Sequence, residues 1–372
     1  MPRHSPRPEA PIQAQLPGDI TMEPVVHDLP EIEDLDALDD AETPGEGGWV
    51  APEVQHLNLS VGADGHGKRL DQWLAVHASS FSRNHLKGLI EDGAVEVEGQ
   101  VITSPSRKLH AGQKVQAELR PTAQASSFTP EAMDLNIVFE DAHFMVIHKP
   151  VGMVVHPAAG NWSGTLLNGL LAHHEGARHL PRAGIVHRLD KDTSGLMVVG
   201  KTVEACTALS RAIAAHDVRR QYRALVWGVP PEMSRIELPI GRDPVSRVKM
   251  AVVKGGKPAM TDVQTLASLP VEQKIRTVGG VVQGAVSAVE CTLHTGRTHQ
   301  IRVHLAAKQH PLLADALYGG KPELGMLRQA LHAFRLSLAH PHSGEPLTFE
   351  AEMPPDMACA WGQVMHNGAT GT

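Results

Sequence analysis

The stretch IVHRLDKDTSGLMVVG, residues 185–200, decides how this chain is read. An apolar pair, Ile185-Val186, leads into a dense polar turn, and Leu196-Met197-Val198-Val199 takes the chain back inside. A continuous apolar run is what a central strand covered on both faces needs. Polar groups held between two buried strands sit on a rigid platform suited to positioned chemistry. Asp190 has Arg188 and Lys191 as close neighbours in sequence, and cations near a carboxylate favour its ionised form. Such an aspartate can act as nucleophile or general base. It can equally cap a turn and pair with Arg188, because Asp-rich turns are common. Local chemistry leaves both readings open.

Working outward, residues 138–139 and 144–147 read as strands, as do 222–227 and 286–293. Residues 165–174 predict a helix burying Leu166, Leu167, Leu170 and Leu171, and 203–215 predict another presenting Cys206, Leu209 and Ile213. The turn Thr295-Gly296 leads into a helix starting near Thr298. The Gly/Val-rich stretch 270–287 reads as a surface hairpin. Strands and helices intermix in an α+β pattern, with no tandem repeat and no glycine-rich phosphate loop.

Toward the N-terminus, residues 57–120 form a candidate small module. Leu70, Trp73, Leu74 and His77 recur at the spacing of one helix face. Ser82 is a candidate N-cap for a second helix burying Leu86, Leu89 and Ile90, which Gly93 ends. Val95 and Val97 then alternate with Glu96 and Glu98 as in a half-buried strand. Arg69, Arg83 and Lys87 lie on or beside these helices, where cations can reach phosphates or simply face water. Residues 121–134 read as a linker, 135–365 as the main domain and 366–372 as a flexible end.

Residues 1–52 set two arginines against twelve acids, a balance of −10 within a total of −7, so the rest carries +3. This Pro-rich acidic stretch predicts a disordered tail. A mildly basic body is compatible with a nucleic-acid partner. No run approaches the roughly 20 apolar residues of a membrane helix, and residues 1–11 lack the apolar core of a secretory signal. The three cysteines, Cys206, Cys291 and Cys359, form no CxxC pair, which fits a reducing cytoplasm. A metal site is not expected: His299 and His304, five apart, lie about 140° apart around a helix. Ser194 lacks the strand-to-helix elbow of a hydrolase nucleophile.

The segment HRLDKDTSG (187–195) resembles the signature of the bacterial-type family of RNA pseudouridine synthases that modify ribosomal and transfer RNA. Further stretches resemble its motifs in the same order: VIHKPVGMVVHP (146–157), with His148 where Asn is more usual, then QYRA (221–224) and GKPA (256–259). HTGRTHQIRVH (294–304), DALYGG (315–320) and LHA (331–333) follow. The pattern RLDQWLA…SRNHLKGLIEDGAVEVEGQ (69–100) resembles the small RNA-binding domain shared by a small-subunit ribosomal protein and tyrosyl-tRNA synthetases.

The resemblance implies a pseudouridine-synthase fold, a mixed and largely antiparallel sheet with flanking helices, behind a small RNA-binding domain. It implies a uridine substrate in RNA whose base is detached, rotated and rejoined through carbon, with no metal or organic cofactor. Asp190 takes the place of the catalytic aspartate, Tyr222 that of the pocket tyrosine packing on the base, and Arg297 that of the aspartate's basic partner. Arg188 takes the place of the arginine that fills the space left by the extruded base, or holds the catalytic loop. The two-domain combination resembles the subfamily acting on large-subunit RNA, so the expectation is a cytoplasmic monomer modifying 23S rRNA, in the hairpin of helix 69. The alternatives are another rRNA or tRNA uridine, or a non-catalytic ribosome-assembly factor.

Overall fold

A computed structural model describes residues 54–121, 125–158, 160–246, 248–277, 280–282 and 284–370. The acidic stretch 1–52 lies outside the described residues.

The first body opens with β1 (Gln55–Ser60), α1 (Leu70–His77) and α2 (Arg83–Glu91). It closes with β2 (Val95–Val97), β3 (Gln100–Val101) and β4 (Lys114–Leu119), in a four-stranded sheet of order β1-β4-β2-β3. Leu70, Trp73, Leu74, Leu86, Leu89 and Ile90 make its core with Val95, Val97 and Val115. Ser82 caps α2 as expected, accepting from the His85 amide at 3.3 Å. His77, expected on the buried face of α1, is exposed and stacks on Trp73 with ring centroids 4.1 Å apart. An imidazole can present its body to the indole while its polar edge stays wet.

The larger body begins with β5 (Ile137–Glu140), β6 (Phe144–Lys149), α3 (Leu166–His173), β7 (Ser194–Gly200), α4 (Val203–Ala214) and β8 (Arg219–Trp227). It continues through β9 (Met233–Glu237), β10 (Ile240–Arg242), β11 (Met250–Val252), β12 (Met260–Pro270), β13 (Ile275–Thr277), β14 (Gly280–Val282) and β15 (Ala285–Leu293). Last come α5 (Gln300–Ala307), β16 (Leu331–Ala339), β17 (Pro346–Glu350), α6 (Pro355–Asn367) and β18 (Ala369–Thr370). A ten-stranded sheet runs β18-β12-β15-β8-β16-β7-β6-β5, with β17 beside β16 and β9 beside β12. Its pairings are antiparallel except β7 with β16. This is the α+β architecture expected. All seven residues of β7 are buried, which explains its unbroken apolar run.

At the one parallel pairing, Gly195 stands opposite Ala333. Its φ is 121°, and a Cβ there would lie 2.2 Å from the Ala333 carbonyl oxygen. Only glycine lets β7 approach β16 this closely, and that approach brings residues 187–193 up to β8 and α5.

Three sequence expectations need correction. Residues 125–134 are no free linker: Asn168 Nδ2 donates to the carbonyls of Ser127 and Thr129, both at 2.8 Å, and Phe128 and Met133 pack on the core. One buried amide satisfies backbone acceptors that a linker would leave to water. The C-terminal end is not loose throughout, since Ala369 and Thr370 pair with Ser268 and Ala267 of β12. The 270–287 stretch does hold a hairpin, β13 on β14, but Ile275 is buried with Leu225 and Trp227 rather than at the surface.

Candidate active site

The turn carrying Asp190 is clamped from below. Lys149, fully buried at the end of β6, donates its ammonium to the carbonyls of Pro150, Met153 and Lys191 at 2.9, 3.0 and 3.0 Å. The Gly152 amide also donates to the Lys191 carbonyl, and Arg328 Nη1 to that of Asp192. Burial pushes the Lys149 ammonium down to about 8, with Asp190 and Asp192 opposing. The Thr193 amide closes the turn on the Asp190 carbonyl at 3.1 Å. Behind it, the buried His187 accepts the Val198 amide on Nε2.

The Asp190 carboxylate accepts from Arg302 Nη1 at 2.9 Å. The same guanidinium grips Asp315 through Nε and Nη2, at 2.8 and 2.9 Å. Its Cζ lies 5.0 Å from the Tyr318 ring centroid. His299 Nε2 stands 3.8 Å from Asp190, beyond hydrogen-bond reach. Its Nδ1 faces the Tyr318 hydroxyl at 2.8 Å, and that hydroxyl accepts the Met250 amide at 3.0 Å. The hydroxyl proton is then free for Nδ1, which leaves Nε2–H turned toward the carboxylate. Burial raises the Asp190 pKa, but His299 and Arg302 outweigh it and the net shift is downward. Burial also lowers His299, so near neutrality the Arg302 guanidinium carries most of this stabilisation.

Arg302, not Arg297, is therefore the guanidinium bonded to Asp190. Arg297 lines the same cavity, with its Nε donating to the Pro258 carbonyl at 3.1 Å. The helix also starts later than expected. Gln300 ties its side chain to Thr295, the Arg297 amide, Met260 and Thr261, and His299 takes a left-handed φ of 56° before α5 begins. This turn points Arg297 and Arg302 in different directions. One sequence signal could have found Arg302: it stands between Ile301 and Val303 in a helix buried all round, and a charge there requires a partner.

Tyr222, on β8, faces the same cavity and is buried. Burial pushes its hydroxyl up to about 12, and Asp190 pushes the same way. It stays a phenol, able to donate a proton or cover a ring. Arg188 lines the cavity with its Nε buried and unpartnered among the described residues, its pKa lowered by burial against the pull of Asp190. The structure thus gathers Asp190, Tyr222, Arg188 and Arg297 around one cavity and adds Arg302, His299 and Arg220. His304, by contrast, bonds Thr261 and the Leu238 carbonyl.

In the first body, Arg69 and Arg83 converge on a residue the sequence reading passed over. Asp71, 3 % exposed, accepts Arg69 Nε at 3.0 Å and Arg83 Nη2 at 2.6 Å. Burial raises its pKa, but the two arginines bring it below the ordinary aspartate value. Lys87 stands 3.6 Å from Glu91 on the surface of α2.

Comparison with known proteins adds a family. Residues 143–307 match the RNA pseudouridylate synthase family, and residues 68–115 match the S4 domain. A Neisseria meningitidis serogroup B protein named ribosomal large subunit pseudouridine synthase D is 47% identical over 81% of this chain and 80% of its own. The Nitrosomonas europaea protein of the same name is 44% identical over 81% and 86%, and that of Yersinia pestis 40% over 83% and 94%. The chain belongs to the RNA pseudouridine synthase family. The resemblance drawn from its ordered motifs holds, and with it the enzyme class. As in that reading, this synthase carries its RNA-binding S4 domain ahead of the catalytic body. Among the described residues no helix is long and apolar enough to cross a membrane.

Proposed function

We propose that this chain isomerises uridine to pseudouridine in 23S rRNA of the large ribosomal subunit, within the hairpin of helix 69, as a cytoplasmic monomer. The chemistry rests on the ionised Asp190, held by Arg302 in one cavity with Tyr222. The choice of RNA rests on relatives named for the large ribosomal subunit.

In this reaction the bond from N1 of uracil to C1′ breaks and a bond from C5 to C1′ forms. C5 gives up its proton to solvent and N1 takes one up, so the change is redox-neutral. A uridine inside folded RNA must first leave its stack. In this reading Arg188, at the cavity wall, fills the vacated position as a planar cation. Asp190 supplies negative charge where C1′ becomes electron-poor, acting as nucleophile or as counter-charge. Arg302 holds the carboxylate in one orientation through a charge-assisted bond. Tyr222 covers the uracil and offers its hydroxyl proton. Arg297, at the cavity wall, contacts the RNA backbone. In the S4 domain, Arg69, Arg83 and Lys87 add phosphate contacts that orient the substrate.

Carbodiimide mapping of pseudouridines in total rRNA and tRNA, from cells lacking the protein and from the same cells given Asp190→Asn, tests this reading. Both strains should lose the same pseudouridines in helix 69 of 23S rRNA. Loss at another rRNA position or in tRNA would move the target, and an unchanged map would reject the enzymatic role.

A further inference from the structure

Arg220 lies on β8 two residues before Tyr222, so the two side chains point to the same face of the strand. Both line the Asp190 cavity. Arg220 is 4 % exposed, and its Nε and Nη2 are buried with no hydrogen-bond partner among the described residues. Thr193, 1 % exposed on the opposite side of Asp190 in sequence from Arg188, presents a hydroxyl in the same state to the same cavity. Its charge acts on two neutral neighbours: after burial it helps hold His187 down at about 3, and it opposes the upward push of burial on the Tyr222 hydroxyl. No carboxylate among the described residues pairs with it. Buried donors are ordinarily satisfied, and a cation buried without a counterpart is a liability to the free protein. These two groups, with Arg188 Nε in the same state beside the same cavity, are what a site looks like before its ligand supplies the acceptors.

We propose that Arg220 and Thr193 form a substrate subsite that grips an acceptor oxygen of the extruded nucleotide, either a uracil carbonyl or the flanking phosphate. This rests on the uridine-isomerising function proposed above. Because the guanidinium stands on the strand face that carries Tyr222, its donors reach the nucleotide where the phenol covers the ring. An arginine there adds two features that Tyr222 lacks, a positive charge and a planar set of donors that recognises oxygen. Recognition by buried donors also discriminates, since a base lacking the oxygen leaves them unpaired.

The test compares the wild-type full chain with Arg220→Met and Thr193→Val. Substrates are 23S rRNA transcripts carrying [5-³H]uridine, which release tritium as C5 is joined to C1′. Parallel transcripts replace uridine by 2-thiouridine or 4-thiouridine, or place a phosphorothioate 5′ to each uridine. On the unmodified transcript Arg220→Met should lower kcat/KM about 10- to 100-fold, the range for losing a charged hydrogen bond, and Thr193→Val less. The urea midpoint of Arg220→Met should stay level or rise, because the variant removes an unpaired buried cation. On the transcript whose sulfur replaces the gripped oxygen, wild type and Arg220→Met should converge. A thiouridine transcript would identify the uracil carbonyl and the phosphorothioate the phosphate. A loss below threefold for Arg220→Met, a lowered midpoint, or an undiminished gap on all three analogues would overturn the subsite. No tritium release by wild type from any rRNA would instead overturn the proposed function.

Discussion

Replacing Arg302 by methionine tests the electrostatic frame of the site. The guanidinium makes three charge-assisted bonds, one to Asp190 at 2.9 Å and two to Asp315 at 2.8 and 2.9 Å. The Asp315 side chain is 1 % exposed and that of Asp190 16 %, so solvent cannot replace the lost partner at Asp315. Removing one member of a buried ionic group costs about 3–5 kcal/mol, because the remaining charge stays buried. Asp190 has its pKa depressed in the folded state. Its contribution to stability is therefore present above the unfolded aspartate value and lost as pH falls through the folded one. Without Arg302 the folded pKa moves up, so the acid limb of the activity profile moves to higher pH. A double variant, Arg302→Met with Asp315→Asn, removes the stranded carboxylate as well. It should regain much of the stability and none of the activity. Urea denaturation at pH 7 and tritium release between pH 5 and 9 measure both effects. A single variant within 1 kcal/mol of wild type, or an acid limb that does not move, would refute the reasoning.

Other consequences follow from the same geometry. Asp190→Asn should abolish product while RNA affinity, measured by filter binding, stays within about threefold; substantial turnover would remove the carboxylate from the chemistry. Gly195→Ala should destabilise the protein by about 3 kcal/mol or more in urea denaturation, because the new Cβ would lie 2.2 Å from the Ala333 carbonyl oxygen. Arg83→Gln should weaken rRNA binding and reduce the slope of log affinity against log salt by about 1. It should also lower stability, since Asp71 loses its 2.6 Å partner, and an unchanged salt slope would confine Arg83 to that structural role.

Much of this molecule can be read along the chain because the relevant forces are local. The cap at Ser82, the apolar face of α2 and the run of β7 each follow from residues a few positions apart. The helix expected over 165–174 is α3 with Thr165 as its cap, because Thr165 and Asn168 reciprocally satisfy each other's backbone. Residues 125–134 misled because their hydrogen-bond partner, Asn168, is supplied by a helix some forty residues later. Lys149 was passed over because its donors meet carbonyls from a turn that closes only when β6 and β7 pair.

The polar turn at 187–193 illustrates the division. By itself the sequence marked this polar turn and the buried strand that follows it, and its ordered companion motifs identified the family. Residues 185–186 do not form the strand expected before the turn: Ile185 makes only an isolated bridge with Val199 before β7 begins at Ser194. Tertiary structure decided which arginine meets Asp190. Arg297 and Arg302 stand in the same motif, but the left-handed His299 and the Gln300 side chain set the phase of α5. That phase sends Arg302 to a carboxylate 112 positions away. A spacing pattern records neighbours along a chain. The direction of a guanidinium depends on the contacts that orient its helix, and in this protein those contacts come from β12 as well as from the turn itself.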